Sequence, residues 1–112
     1  MRVILMDVIE RIKEQLENNP VILYMKGTPD FPQCGFSNQA VQVLQACEAD
    51  FAAVNIFEDL ELRDALKSYS NWPTYPQLYI NAQLIGGCDI IVDLYKKGEL
   101  AAMLAAVNNT AE

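Results

Sequence analysis

The chain has 112 residues, 52% of them apolar, and its eight basic and fifteen acidic side chains leave a net charge of −7. That length and apolar content suit one domain with an ordinary core, and the acidity argues against gripping a phosphate backbone by bulk charge. Histidine is absent and cysteine occurs three times, at 34, 47 and 88. This removes Cys-His nucleophile pairs, histidine zinc sites, Ser-His-Asp triads and any disulfide framework of the secreted kind.

The opening, Met1 to Met6, is apolar but stops at Asp7, too short for a signal-peptide core, and Asp7 and Glu10 disfavour a transit peptide. No apolar run approaches the roughly 20 residues of a membrane span. A cytoplasmic chain is expected, with neither nucleic acid nor membrane as partner. From Asp7 to Asn18, apolar Val8, Ile9, Ile12 and Leu16 recur at helical spacing, and Asn18-Asn19-Pro20 ends that helix. Val21 to Met25 reads as a buried strand. A loop rich in Gly and Pro follows, then a helix to about Cys47, with Phe36, Ala40, Val43, Leu44 and Cys47 on one stripe. Cys47 is thus expected in the core. Phe51 to Phe57 reads as a second strand, and strand, helix, strand makes a right-handed parallel unit.

A helix over 59–70 carries Leu62, Leu66 and Tyr69, and Asn71 to Pro76 is a loop stiffened by two prolines. Gln77 to Ile80 is a third strand, 81–83 a turn, and Leu84-Ile85 a short fourth strand, an antiparallel hairpin. Gly86-Gly87-Cys88-Asp89 opens a helix to about Lys97, with Asp89 at its N-cap. Gly98 breaks the chain, and Glu99 to Val107 forms a last helix. Asn108 to Glu112 is expected to fray. The pattern predicts an α/β fold, a four-stranded mixed sheet flanked by helices on both faces. One domain is expected over 1–112, its core at about 8–107.

Such sheets bind ligands where strands end and helices begin. Three stretches could converge there: the Cys34 loop, Thr74-Tyr75-Pro76, and Gly86 to Asp89. Cys34 falls about where a helix begins. Free N–H groups and the dipole favour a thiolate there, and Lys26 would favour it further. Lys26 could hold a carboxylate, and the helix start after Gly87 a second anion. Asp89 could face an amine, though capping its helix suffices to explain it. Pro76, just before a strand, is a candidate cis proline that would expose the backbone of Tyr75. An exposed strand edge beside Cys34 can pair with an extended peptide. These features describe a groove for a short, doubly carboxylated peptide lying over a thiolate, and glutathione has that chemistry.

Lys26-Gly27-Thr28-Pro29, Cys34-Gly35-Phe36-Ser37, Trp72-Pro73-Thr74-Tyr75-Pro76 and Gly86-Gly87-Cys88-Asp89, four motifs in order over roughly residues 8 to 107, resemble the signature set of monothiol glutaredoxins of the Cys-Gly-Phe-Ser type. The resemblance implies the thioredoxin-like fold, glutathione binding and a [2Fe–2S] cluster bridging a homodimer. It implies that Lys26 and Arg63 hold the glycine carboxylate of glutathione. Tyr75 would pair its backbone with the central cysteine, and Cys88 and Asp89 would take the γ-glutamyl end. Each has a plainer alternative. Lys26 and Arg63 could be solvated surface charges, and Tyr75 and Trp72 core aromatics. Cys88 could be a small buried side chain, a backbone contact or a partner of Cys34.

A dithiol enzyme resolves mixed disulfides with a second thiol, and here Ser37 fills that position. A [2Fe–2S] cluster takes four thiolate-type donors. One Cys34 from each of two chains and two glutathiones would complete that set. The resemblance implies an iron–sulfur carrier or scaffold, with BolA-type proteins as possible partners and cluster recipients downstream. The alternative is a glutathione-dependent oxidoreductase that reduces glutathionylated thiols with Cys34 alone as catalytic residue. A third reading is an adaptor that uses the fold as a binding surface.

Overall fold

The computed structural model describes residues 2–110, with side chains over 8–107. In chain order it contains α1 (Arg2–Asn18), β1 (Val21–Met25), α2 (Gly35–Ala46) and β2 (Ala52–Asn55). A 3-10 turn (Ile56–Glu58), α3 (Leu60–Ser70), β3 (Gln77–Ile80), β4 (Gln83–Gly86), α4 (Cys88–Lys96) and α5 (Glu99–Thr110) follow. The strands lie in the order β2-β1-β3-β4. β1 runs parallel to β2 and antiparallel to β3, and β3 runs antiparallel to β4. This is the thioredoxin-like mixed sheet expected from the sequence.

All five residues of β1 are buried, because it lies inside the sheet with helices over both faces. Its alternation sorts the core into two layers. Val21, Leu23 and Met25 pack on one side with Ala40, Val43 and Leu44 of α2, Ile91 of α4 and Leu100 and Leu104 of α5. Ile22 and Tyr24 pack on the other with Val8, Ile12 and Leu16 of α1, Leu62 and Leu66 of α3, and Tyr75 and Tyr79. Truncating a fully buried leucine such as Leu23 to alanine would cost about 2–5 kcal/mol. Cys47 joins the first layer only at its edge, half-buried at the C-cap of α2.

The boundaries differ from expectation in five places, the smallest being β4, which spans Gln83–Gly86 rather than 84–85 alone. α1 begins at Arg2 rather than Asp7; no glycine or proline interrupts 2–7. β2 is shorter than 51–57, because the Asn55 side chain accepts from the Phe57 N–H at 3.0 Å and curls the chain into the 3-10 turn. α5 continues through 108–110, residues assigned to a frayed tail; residues 111–112 lie outside the described residues. The N-cap of α4 is Gly87, not Asp89, and carries no side-chain hydrogen bond.

The other ends follow from local chemistry. Asp59 caps α3 by accepting from the Leu62 N–H at 3.1 Å. Asn71 closes α3 in the left-handed conformation. Asn81 and Ala82 both have positive φ, the pattern of a type I′ hairpin turn. Between the Leu78–Gly86 and Tyr79–Leu84 pairs, Ile85 has no partner, so β4 bulges next to Gly86-Gly87. The bulge brings Gly87 close to Trp72 and Pro76.

Candidate functional site

Cys34 is the N-cap of α2, with extended backbone (φ −154°, ψ 138°). Its sulfur therefore faces the free amides of the first turn. Its pKa lies below the ordinary thiol value, chiefly because the Ser37 backbone N–H is turned toward the sulfur, although the two fall short of a formed cap hydrogen bond. Partial burial opposes this. The Phe36 N–H, the Lys26 charge and the Ser37 hydroxyl reinforce it. Burial pushes the other two thiols up, and nearby Asp89 and Cys34 push Cys88 further. All three cysteines are free. The buried Cys88 thiol donates to Gln39 Oε1 at 3.2 Å rather than pairing with Cys34.

Ser37 is fully buried. Its Oγ accepts from the Lys26 backbone N–H at 3.0 Å, fastening the end of β1 to the first turn of α2. The Asn55 Oδ1 that turns β2 also accepts from the Gly27 N–H at 3.0 Å. Gly27 needs its positive φ of 92°: a Cβ there would stand 2.5 Å from the Phe31 carbonyl oxygen. These contacts hold Lys26 at the mouth of a groove.

The groove has a volume of about 320 Å³ and brings Lys26, Tyr75, Cys88 and Asp89 together. Trp72 and Phe36 also line it. A second cavity of about 230 Å³ shares Lys26, Thr74 and Tyr75 with the first and adds Arg63 and Lys67. Lys26 and Tyr75 thus form the common wall. Three cations lie around one cavity, and Asp89 lies in the other, in the first turn of α4. Cys34 stands beside the groove rather than in its lining. Phe36 and Tyr69, assigned to apolar stripes, are exposed. Phe36 sits in the first turn of α2, where it reaches the groove instead of the core.

The Tyr75–Pro76 peptide bond is cis. Tyr75 is buried, and its hydroxyl donates to the Arg63 carbonyl at 2.7 Å. Gly87 permits close approach on the facing side: a Cβ there would stand 3.3 Å from Trp72 Nε1 and 3.4 Å from the Pro76 oxygen. Among the described residues, two buried side-chain donors lack any hydrogen-bond partner, Arg63 Nε and Trp72 Nε1. Both belong to residues lining these cavities. Arg63 Nε has only a loose ion pair with Asp64, at 3.6 Å. Orphaned donors beside three cations suit a ligand rich in carboxylate and carbonyl oxygens. Lys67 escaped the sequence reasoning. Its spacing of four from Arg63, on one helix face, was the available signal.

Among the described residues no three His, Cys, Asp or Glu side chains gather as a metal site. No described helix is long and apolar enough to cross a membrane.

Residues 21–85 match the family model described as Glutaredoxin. Curated relatives named Glutaredoxin 4 are similar over most of the chain. That of Buchnera aphidicola subsp. Baizongia pistaciae is 51% identical over 94 residues, covering 84% of this chain and 87% of the relative. That of Escherichia coli strain K12 is 50% identical over 96 residues, covering 86% and 84%. Among solved structures, the solution structure of reduced poplar apo GrxS14 aligns with a TM-score of 0.76 at 49% identity, covering 88% of this chain and 90% of that one. With its cysteine at the head of α2, a serine three residues on and a cis proline across the groove, the chain belongs to the glutaredoxin family, in its monothiol form.

Proposed function

We propose that the protein binds glutathione in this groove and, as a pair of chains in the cytoplasm, carries a [2Fe–2S] cluster to recipient proteins, with BolA-type proteins as further partners. The observation that carries the reading is Cys34: of three thiols it alone has a pKa pushed down, and it has no second cysteine within its own turn. In the proposed complex Lys26, Arg63 and Lys67 hold the glycine carboxylate. The Tyr75 backbone meets the central cysteine, and Asp89 with the first amides of α4 takes the γ-glutamyl end. The cluster is cargo. Cys34 supplies one thiolate per chain, and the two glutathione thiolates complete the donors. Ligands not covalently tied to the chain suit a cluster that must be released.

The lowered Cys34 pKa also favours a second reading, reduction of glutathionylated thiols. Cys34 Sγ would attack the glutathionyl sulfur of a mixed disulfide, expelling the substrate thiolate. A second glutathione thiolate would attack the resulting Cys34–glutathione disulfide, giving oxidised glutathione and free Cys34.

The test is anaerobic purification with glutathione, iron and sulfide. The carrier gives a coloured dimer that bleaches when glutathione is removed. Cys34→Ser should abolish the colour, whereas Cys47→Ala should keep it. A Cys34→Ser protein that retains the cluster refutes the ligand assignment. A colourless monomer with brisk deglutathionylation supports the enzyme instead.

A further inference from the structure

The segment from Trp72 to Pro76 forms one wall of both cavities, yet its two prolines contribute no N–H to hold it. The Trp72 N–H is used at the end of α3, donating to Ser70 Oγ at 3.1 Å and to the Lys67 carbonyl at 3.2 Å. Beneath the wall lies Gln77, the first residue of β3 and completely buried. Its Nε2 donates to the Trp72 carbonyl at 3.0 Å and to the Thr74 carbonyl at 3.2 Å. Its Oε1 accepts from the Tyr79 hydroxyl at 3.2 Å. Both amide protons and the carbonyl oxygen are therefore occupied. The amide can point only one way, because two carbonyls require donors and the phenol supplies one.

A buried carboxamide is costly unless every hydrogen bond is made. An apolar side chain would serve packing there equally well. What the amide adds is directional: it fixes the carbonyls on either side of Pro73. That sets where the Trp72 indole and the Tyr75 backbone face the groove. We infer that Gln77 is a positioning residue for the ligand, acting through the Trp72–Tyr75 wall without touching the ligand itself. The inference rests on the glutathione reading of the groove and adds the residue that tunes its affinity.

The experiment measures glutathione affinity by calorimetry and thermal midpoint by circular dichroism for the wild type, Gln77→Met, Gln77→Glu and Tyr79→Phe. Tyr79→Phe removes the donor to Gln77 Oε1 and leaves both amide protons on the wall carbonyls. It should lower the midpoint while leaving Kd within about twofold. Gln77→Met should raise Kd by about tenfold or more, whatever its midpoint. Gln77→Glu should bind well only where its carboxyl is protonated and can still donate. Its Kd should therefore climb with pH in a limb the wild type lacks. If Gln77→Met does not fold, that limb decides. Folded Gln77→Met with wild-type Kd, or Gln77→Glu with a wild-type pH profile, overturns the inference. So does a Kd that tracks the thermal midpoint across all three variants. A wild type that does not bind glutathione overturns the reading of the groove itself, a separate result.

Discussion

Replacing Ser37 with alanine separates two things the hydroxyl does. The side chain is fully buried, and its oxygen is the acceptor for the Lys26 backbone N–H at 3.0 Å. Alanine fits the space but leaves that N–H without its partner. An unsatisfied buried donor costs roughly 1–3 kcal/mol, and the half-buried Lys26 places this one at about 1–2 kcal/mol. At about 4–8 °C per kcal/mol for a domain near this size, the midpoint should fall by roughly 5–15 °C. The effect on Cys34 should be smaller than the motif suggests. The Ser37 backbone N–H is the largest cause of its lowered pKa, and the hydroxyl is the smallest of those that lower it. Alanine retains the N–H. The pH midpoint of Cys34 alkylation, followed by mass spectrometry, should rise slightly and stay below the ordinary thiol value. A return to the ordinary value would refute the assignment to the helix amide. An unchanged melting midpoint would refute the claim that the hydroxyl fastens β1 to α2.

Three further outcomes are expected. Lys67→Ala should weaken glutathione binding by roughly 3- to 10-fold at low ionic strength, and the deficit should shrink as salt is added, measured by titration calorimetry. Asp59→Asn keeps an N-cap for α3 but removes a charge that pairs with Arg11, so its cost at neutral pH should be under about 1 kcal/mol. Asp59 has its pKa lowered, first by the Arg11 hydrogen bond. Its contribution is present above the ordinary aspartate pKa and is lost as pH falls through the folded value. Urea unfolding across acid pH should show that limb in the wild type and not in Asp59→Asn. Gly27→Ala should cost about 1–3 kcal/mol in denaturant unfolding, since the new Cβ meets backbone on two sides and the φ is positive.

The parts of the fold readable in advance were those set by periodicity. β1 is apolar throughout because both its faces are covered, and α1 and α3 show one apolar stripe because only one of theirs is. The parts misread were set by single side-chain contacts. Asn55 ends β2 with a hydrogen bond that no apolar pattern records. Asp89 looked like a cap, but the helix starts two residues earlier, capped by Gly87, where a side chain would meet Trp72. Phe36 kept helical spacing yet lies outward, because in the first turn of α2 it is the neighbouring Ser37 that faces β1. At the site, Cys34, Lys26, Tyr75, Cys88 and Asp89 were chosen from motifs; the fold lines one groove with the last four and sets Cys34 beside it. Arg63 lies in the adjoining cavity. Lys67 and Gln77 were missed for opposite reasons: one resembles any surface lysine, and the other resembles any polar residue at a strand end.

The layer beneath α1 and α3 holds three phenols, with the rings of Tyr24 and Tyr79 edge to face at 5.7 Å between centroids. Desolvation raises all three phenol pKa values, that of Tyr79 to about 12. Each proton is held more tightly in the native chain than in the unfolded one. The stability tied to them is intact below the ordinary tyrosine value of about 10 and is spent as alkali climbs past it. Strong base therefore works as a denaturant whose own target is chromophoric. Tyrosinate absorbance from this layer should appear together with the collapse of helical ellipticity rather than before it, giving a label-free optical reporter built into the protein.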